Sequence, residues 1–209
     1  MKQQRRGQRK GRKAVSEHQP HRRRLLAFTE GKITEPEYIR YWYGIHRERV
    51  FVQIHDYRGV DPMSLVERAV QQRRDDLREQ KRGRGDEWDE YWCVFDRDAH
   101  TKFDEAIRLA ESNQICVACS NPCIELWFML HLKEQYSHIE RGSAQREVYG
   151  LLGCNKNLGR DALASLEEKF KVAKDRAQAL DRKHQGDGSP PRSNPSSNVW
   201  QLVESITQA

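Results

Sequence analysis

Tyr91-Trp92-Cys93-Val94-Phe95-Asp96-Arg97-Asp98 is a short apolar run that stops abruptly at two aspartates one residue apart. Apolar residues without polar alternation over so few positions mark a strand buried on both faces, and burial on both faces belongs to parallel sheets covered by helices. Leu25-Leu26-Ala27-Phe28, closed by Thr29-Glu30-Gly31, repeats the pattern. Open α/β sheets build their sites at the carboxyl ends of such strands. Glu30, Asp96 and Asp98 are therefore expected to meet at one end of the sheet. Hard divalent cations bind through a few carboxylates plus water and substrate phosphates, so the expected chemistry is phosphoryl transfer supported by Mg²⁺ or Mn²⁺.

Working outward, apolar runs alternate with helical stretches. Val50 to Ile54 and Ile115 to Cys119 read as further strands, giving four in all. Helices are expected from Glu37 to about Arg47, from Pro62 towards the Gly83-Arg84-Gly85 breaker, from Phe103 to Ala110, and from Asn121-Pro122 through Leu132. Strands alternating with helices imply right-handed crossovers and a mainly parallel four-stranded sheet flanked by helices. Beyond Leu132 no strand is expected. Gln145 to Leu152, Asp161 to about Lys183 and Asn198 to Thr207 look helical, and residues 185–197, rich in Gly, Pro and Ser, read as a flexible linker. The chain thus divides into a basic arm (1–24), an α/β domain (25–132) and a C-terminal helical extension (133–209).

The formal charge of +6 is concentrated in that arm. Residues 1–24 hold ten Lys or Arg against Glu17, a balance of +9, and the remainder carries −3. Such an arm is drawn to phosphate backbones, with Arg22, Arg23 and Arg24 as the contacts nearest the first strand. No run approaches the roughly 18 apolar residues of a membrane helix, and no signal-peptide core is present, so a soluble, cytoplasmic protein without membrane contact is expected. Five cysteines, odd in number and set mostly in apolar segments, do not suggest disulfides. Cys116 and Cys119 stand at an odd offset on a strand and so face opposite sides, which argues for burial rather than zinc binding.

Three ordered motifs support a family resemblance. Thr29-Glu30-Gly31-Lys32-Ile33-Thr34-Glu35-Pro36-Glu37-Tyr38, Trp92 through Asp98, and Ser120-Asn121-Pro122-Cys123-Ile124-Glu125-Leu126-Trp127-Phe128-Met129-Leu130-His131 together resemble the RloB-like (AbiLii-like) family. Asn194-Pro195-Ser196-Ser197-Asn198-Val199 before the last helix is similar to that family too. The resemblance implies a Toprim-type fold, with Glu30 after the first strand and Asp96 and Asp98 after the third as catalytic and metal-binding acids. It implies a nuclease acting on DNA or RNA in bacterial antiphage defence, often beside an ATPase partner. By analogy with Toprim nucleases, Glu35 is a further metal ligand; its plainer reading, with Glu37, is as an acid favoured at a helix N-terminus.

Asn121 and Glu125, four apart on an apolar helix, are expected to share a face, and Glu125 should be bound to something because an unpaired buried acid is costly. Lys32 stands where it would touch a scissile phosphate. Gly31-Lys32 lacks the upstream glycine and following hydroxyl of a phosphate-binding loop, so any ATP hydrolysis must come from a partner. The competing reading is a nucleic-acid-binding or regulatory subunit with an inactive acidic site.

Overall fold

The computed structural model describes residues 22–57, 59–97 and 100–208. Most of the basic arm, residues 1–21, lies outside these. Four parallel strands run in the order β2–β1–β3–β4: β1 (Arg23–Thr29), β2 (Val50–Asp56), β3 (Glu90–Asp96) and β4 (Cys116–Asn121). The first crossover, through α1 (Thr34–His46), moves to one side of β1. The second, through α2 (Pro62–Lys81), passes to the other side of it, and α3 (Phe103–Ser112) continues in that direction. Right-handed crossovers moving in opposite directions place their helices on opposite faces. Accordingly, α2 and α3 pack on the face carrying Leu26, Phe28, Tyr91, Cys93, Phe95 and Cys119. The alternate residues Leu25, Ala27, Trp92 and Val94 face α1 and the helices that follow β4. This two-sided burial is why both strands lack polar alternation, and it sends Cys116 and Cys119 to opposite layers.

Local signals set the helix ends. Asp61 caps α2 by accepting from the amides of Met63 and Ser64, Pro62 fills the first turn, and Gly83 turns the chain out at φ +69°. α4 (Ile124–Leu132) begins later than the sequence suggested, because Asn121 still belongs to β4. Asn121 and Glu125 consequently do not share a helix face.

The C-terminal region shares the main core and is not an appendage. α5 (Arg141–Leu152), α6 (Gly159–Glu168), α7 (Phe170–Gly186) and α8 (Val199–Thr207) contribute Ala144, Val148, Leu166, Ala177, Leu180, Leu202 and Ile206 to the cluster that also holds Leu25 and Trp127. The region also adds a fifth strand. β5 (Ser196–Ser197) pairs antiparallel with β4, and Asn198 extends the pairing through its side chain, which accepts from Cys119 N and donates to Val117 O. Two serines carry no apolar signature, so nothing local announces this strand.

The expected flexible linker is tied down. Asn194 brackets Ile139 through both backbone groups, His184 bonds the Pro195 carbonyl, and Arg97 and Asn121 both donate to Arg192 O. Composition describes the residues of a segment and not the partners that satisfy its backbone. No described helix is long and apolar enough to cross a membrane.

Candidate functional site

The order β2–β1–β3 makes the carboxyl ends of β1 and β3 the point where the chain changes direction across the sheet, and ligands bind at such points in open α/β sheets. Glu30 follows β1 and Asp96 ends β3. Glu30 N donates to Val94 O at 3.1 Å, and Asp96 N donates to the Glu30 carboxylate at 3.4 Å, so the backbone itself joins the two acids. His100 Nε2 lies 3.7 Å from the other Glu30 oxygen. Asp98 lies outside the described residues.

A cleft of about 240 Å³ opens at this point, lined by Gly31, Lys32, Glu35, Asp96, Glu125 and Arg141 among others. Glu35, in the first turn of α1, is buried with its carboxyl packed against Gly31; a Cβ at position 31 would overlap it. Glu37, two residues on, serves structure: it accepts from Leu158 N and Gly159 N at the start of α6. Glu125, in the first turn of α4, is buried and enters the same cleft. Lys32 is exposed at the rim. Asn121 is held on the Arg192 carbonyl and faces a neighbouring cavity instead.

Arg23 and Arg24 lie at the far end of β1 from the acids. Arg23 pairs with Glu90 and bonds Ser205 O, while Arg24 pairs with Asp86 and stacks on Trp88 and Phe51. Both are structural members of the strand rather than part of the arm, which corrects the boundary expected at residue 24. Arg22 is exposed beside them.

The wall completing the cleft is α5, which no motif flagged. Arg141, Gln145 and Tyr149 recur every four residues and so share one face. Arg141 lies 3.3 Å from Asp96 Oδ2. Gln145 and Tyr149 donate to Glu125 Oε1 at 3.3 and 2.5 Å. The four-residue spacing is visible in the sequence, but nothing local says where the helix docks.

Crowded acids raise one another's pKa. Burial, and then repulsion from Glu125 and Glu30 against the opposing pull of Arg141, pushes Glu35 up from 4.5 to about 7. Asp96 is pushed well above the usual carboxylate range, first by burial and then by Glu35. Glu125 Oε2 is buried with no hydrogen-bond partner, an arrangement that costs about 1–3 kcal/mol or more for a charged group.

Three carboxylates, Glu35, Asp96 and Glu125, line the cleft, with Glu30 beside it on the Asp96 amide; two are held above their ordinary pKa and one has an orphaned oxygen, a donor set of the oxygen type that hard divalent cations take. Among the described residues, no three acidic, histidine or cysteine side chains are so placed that, as they stand, they could hold a metal ion. Asp96 rests on Arg141 and Glu125 on Tyr149.

The profile of the RloB-like protein family matches residues 25–206, from β1 to the last turn of α8. No curated protein and no solved structure is significantly similar to the chain.

Proposed function

From the premise that this chain belongs to the RloB-like family, we propose that it is a Mg²⁺- or Mn²⁺-dependent nuclease that hydrolyses phosphodiester bonds in DNA or RNA. The observation that carries this reading is the convergence of Glu30, Glu35, Asp96 and Glu125 at the β1/β3 switch point, with Glu35 and Asp96 raised by burial and mutual repulsion. Carboxylates buried together at this cost, in a cleft open to solvent, are more readily explained by chemistry than by folding.

Glu35, Asp96 and Glu125, on α1, β3 and α4 with Glu30 beside them, are the residues that would hold the ion, and their side chains would have to draw together to do so. A bound divalent cation supplies activation of water and neutralisation of charge on the phosphate. Glu30, held on the Asp96 amide and near His100, stands where a proton can be accepted or passed on. Lys32 and Lys156 line the same cleft and supply positive charge towards a phosphate oxygen. Arg141 gives Asp96 a counter-charge and lines the cleft on the side where a substrate phosphate would approach. Tyr149 and Gln145 orient Glu125.

The proposal extends to a role as effector in bacterial antiphage defence, working with an ATPase partner. It draws support from family membership. A second reading, an inactive nucleic-acid-binding or regulatory subunit, draws on the Asp96–Arg141 pair, which already gives one acid a counter-charge. Incubating purified protein with DNA and with RNA, in Mg²⁺, Mn²⁺ or EDTA, separates the two. Metal-dependent cutting abolished by Asp96→Asn is expected; absence of cutting under all conditions, with a partner ATPase present as well, favours the second.

A further inference from the structure

A second cavity, of about 420 Å³, adjoins the acid cleft and shares Arg141 with it. Arg97, Asn121, His138, Glu140 and Ser193 line its other sides. Asp96 and Arg97 are consecutive, and they serve different spaces: Asp96 lines the acid cleft and Arg97 the second cavity. The Arg97 guanidinium is fixed in place. It donates to Arg192 O at 2.8 Å and to Pro191 O at 3.4 Å, and it stacks over Phe103 at 5.0 Å. A guanidinium anchored in this way loses little further freedom when it receives an anion, and its planar fork matches phosphate oxygens. His138 pairs with Glu140 at 2.9 Å, so this acid already has a counter-charge when the imidazole is protonated.

We infer that the second cavity seats the sugar-phosphate backbone of the nucleic-acid strand beside the scissile phosphate, with Arg97 and Arg141 as its guanidinium contacts. This inference rests on the nuclease reading of the acid cleft and names how that site takes its substrate. The carboxylates of the cleft repel a polyanion, so the strand needs positive charge immediately beside it, and the two arginines provide it on the side where the cavities join. The expected ligand is a phosphodiester chain rather than a free phosphate.

The test is binding in EDTA, where no cutting interferes. Full-length protein is titrated into labelled single-stranded DNA and RNA across a salt series, and hydrogen exchange is followed with and without oligonucleotide. Arg97→Gln should weaken binding about tenfold and lower the salt slope by about one. Ser193→Glu, which adds an anion to the cavity and removes no arginine, should weaken it as well. Peptides spanning 136–142 and 190–194 should be protected by oligonucleotide and not by inorganic phosphate or a mononucleotide. If Arg97→Gln melts early because the 190–194 loop loses its anchor, Ser193→Glu and the exchange data carry the test. Wild-type affinity in both variants, protection absent from both segments, equal protection by inorganic phosphate, or a wild-type protein that binds no oligonucleotide would each overturn the inference. Binding that behaves as expected, in a protein that never cuts, would instead sink the nuclease reading and leave the cavity as a nucleic-acid site.

Discussion

The Glu35 carboxyl occupies the space that a side chain at Gly31 would need. Gly31 lies between the end of β1 and the start of α1, so a residue without a Cβ is what allows the buried acid to reach the cleft floor.

Gly31→Ala is therefore expected to displace the Glu35 carboxyl while leaving both cores untouched. By analogy with the loss of a residue that supports a metal ligand, Mn²⁺ affinity should fall about 10- to 100-fold. Calorimetric titration measures it directly. Unchanged affinity in the alanine variant would show that Glu35 takes no part in binding the metal.

Asp96→Asn removes a buried charge that burial and Glu35 already penalise. In EDTA the variant should melt at or above the wild-type temperature, because repulsion within the cleft is relieved. Cleavage should fall by about two orders of magnitude or more, since a charged ligand is lost. A variant that cuts as well as wild type removes the proposed mechanism.

The raised acids predict how stability depends on pH. A carboxyl held at about 7 when folded and near 4.5 when unfolded keeps its proton in the native state after the unfolded chain has released it. Its stabilising contribution is complete below about 4.5 and is lost as pH rises through about 7. Asp96, raised for the same reasons, acts in the same direction. The metal-free melting temperature should fall from mildly acidic to mildly basic pH, and Glu35→Gln should flatten the fall. Metal affinity should rise over the same interval, because ligands must be deprotonated to bind. A melting temperature independent of pH and of Glu35→Gln would show that Glu35 is ionised in the folded protein.

Tyr149→Phe deletes the hydroxyl that donates to Glu125 at 2.5 Å and leaves Gln145 as the remaining donor to that oxygen. Loss of one such bond to a charged group costs about 1.5–3 kcal/mol. Here the loss should appear as weaker metal binding and slower cleavage at subsaturating metal, recovered in part at high metal concentration. Equal metal dependence in the two proteins would limit Tyr149 to a packing role.

Residues 1–21 carry seven Lys or Arg against Glu17. Their removal, which spares Arg23 and Arg24 in β1, should weaken nucleic-acid binding and reduce its salt dependence by several counterions, with metal affinity unchanged. An unaltered salt slope would mean that the arm does not touch phosphate.

Sequence alone determined the parallel α/β sheet and the placement of acids at strand ends. Both follow from local patterns: uninterrupted apolar runs such as Tyr91–Phe95 record burial on two faces, and Glu30 and Asp96 are the first acids after such runs. It also placed Pro62 and Gly83 at the two ends of α2, because backbone preference is a property of the residue. Tertiary structure decided what long-range contact decides. The order β2–β1–β3 brings Glu30 to Asp96 across 66 residues, and the end of β4 at Asn121 parts that residue from Glu125 in α4. α5 joins the site only because it docks against α4, bringing Arg141 to Asp96 and Tyr149 to Glu125. The serine pair of β5 becomes a strand only because β4 leaves an open edge beside it. A side chain's burial preference is written at its own position, whereas the partner that makes an acid a ligand, or a serine a strand, comes from elsewhere in the chain.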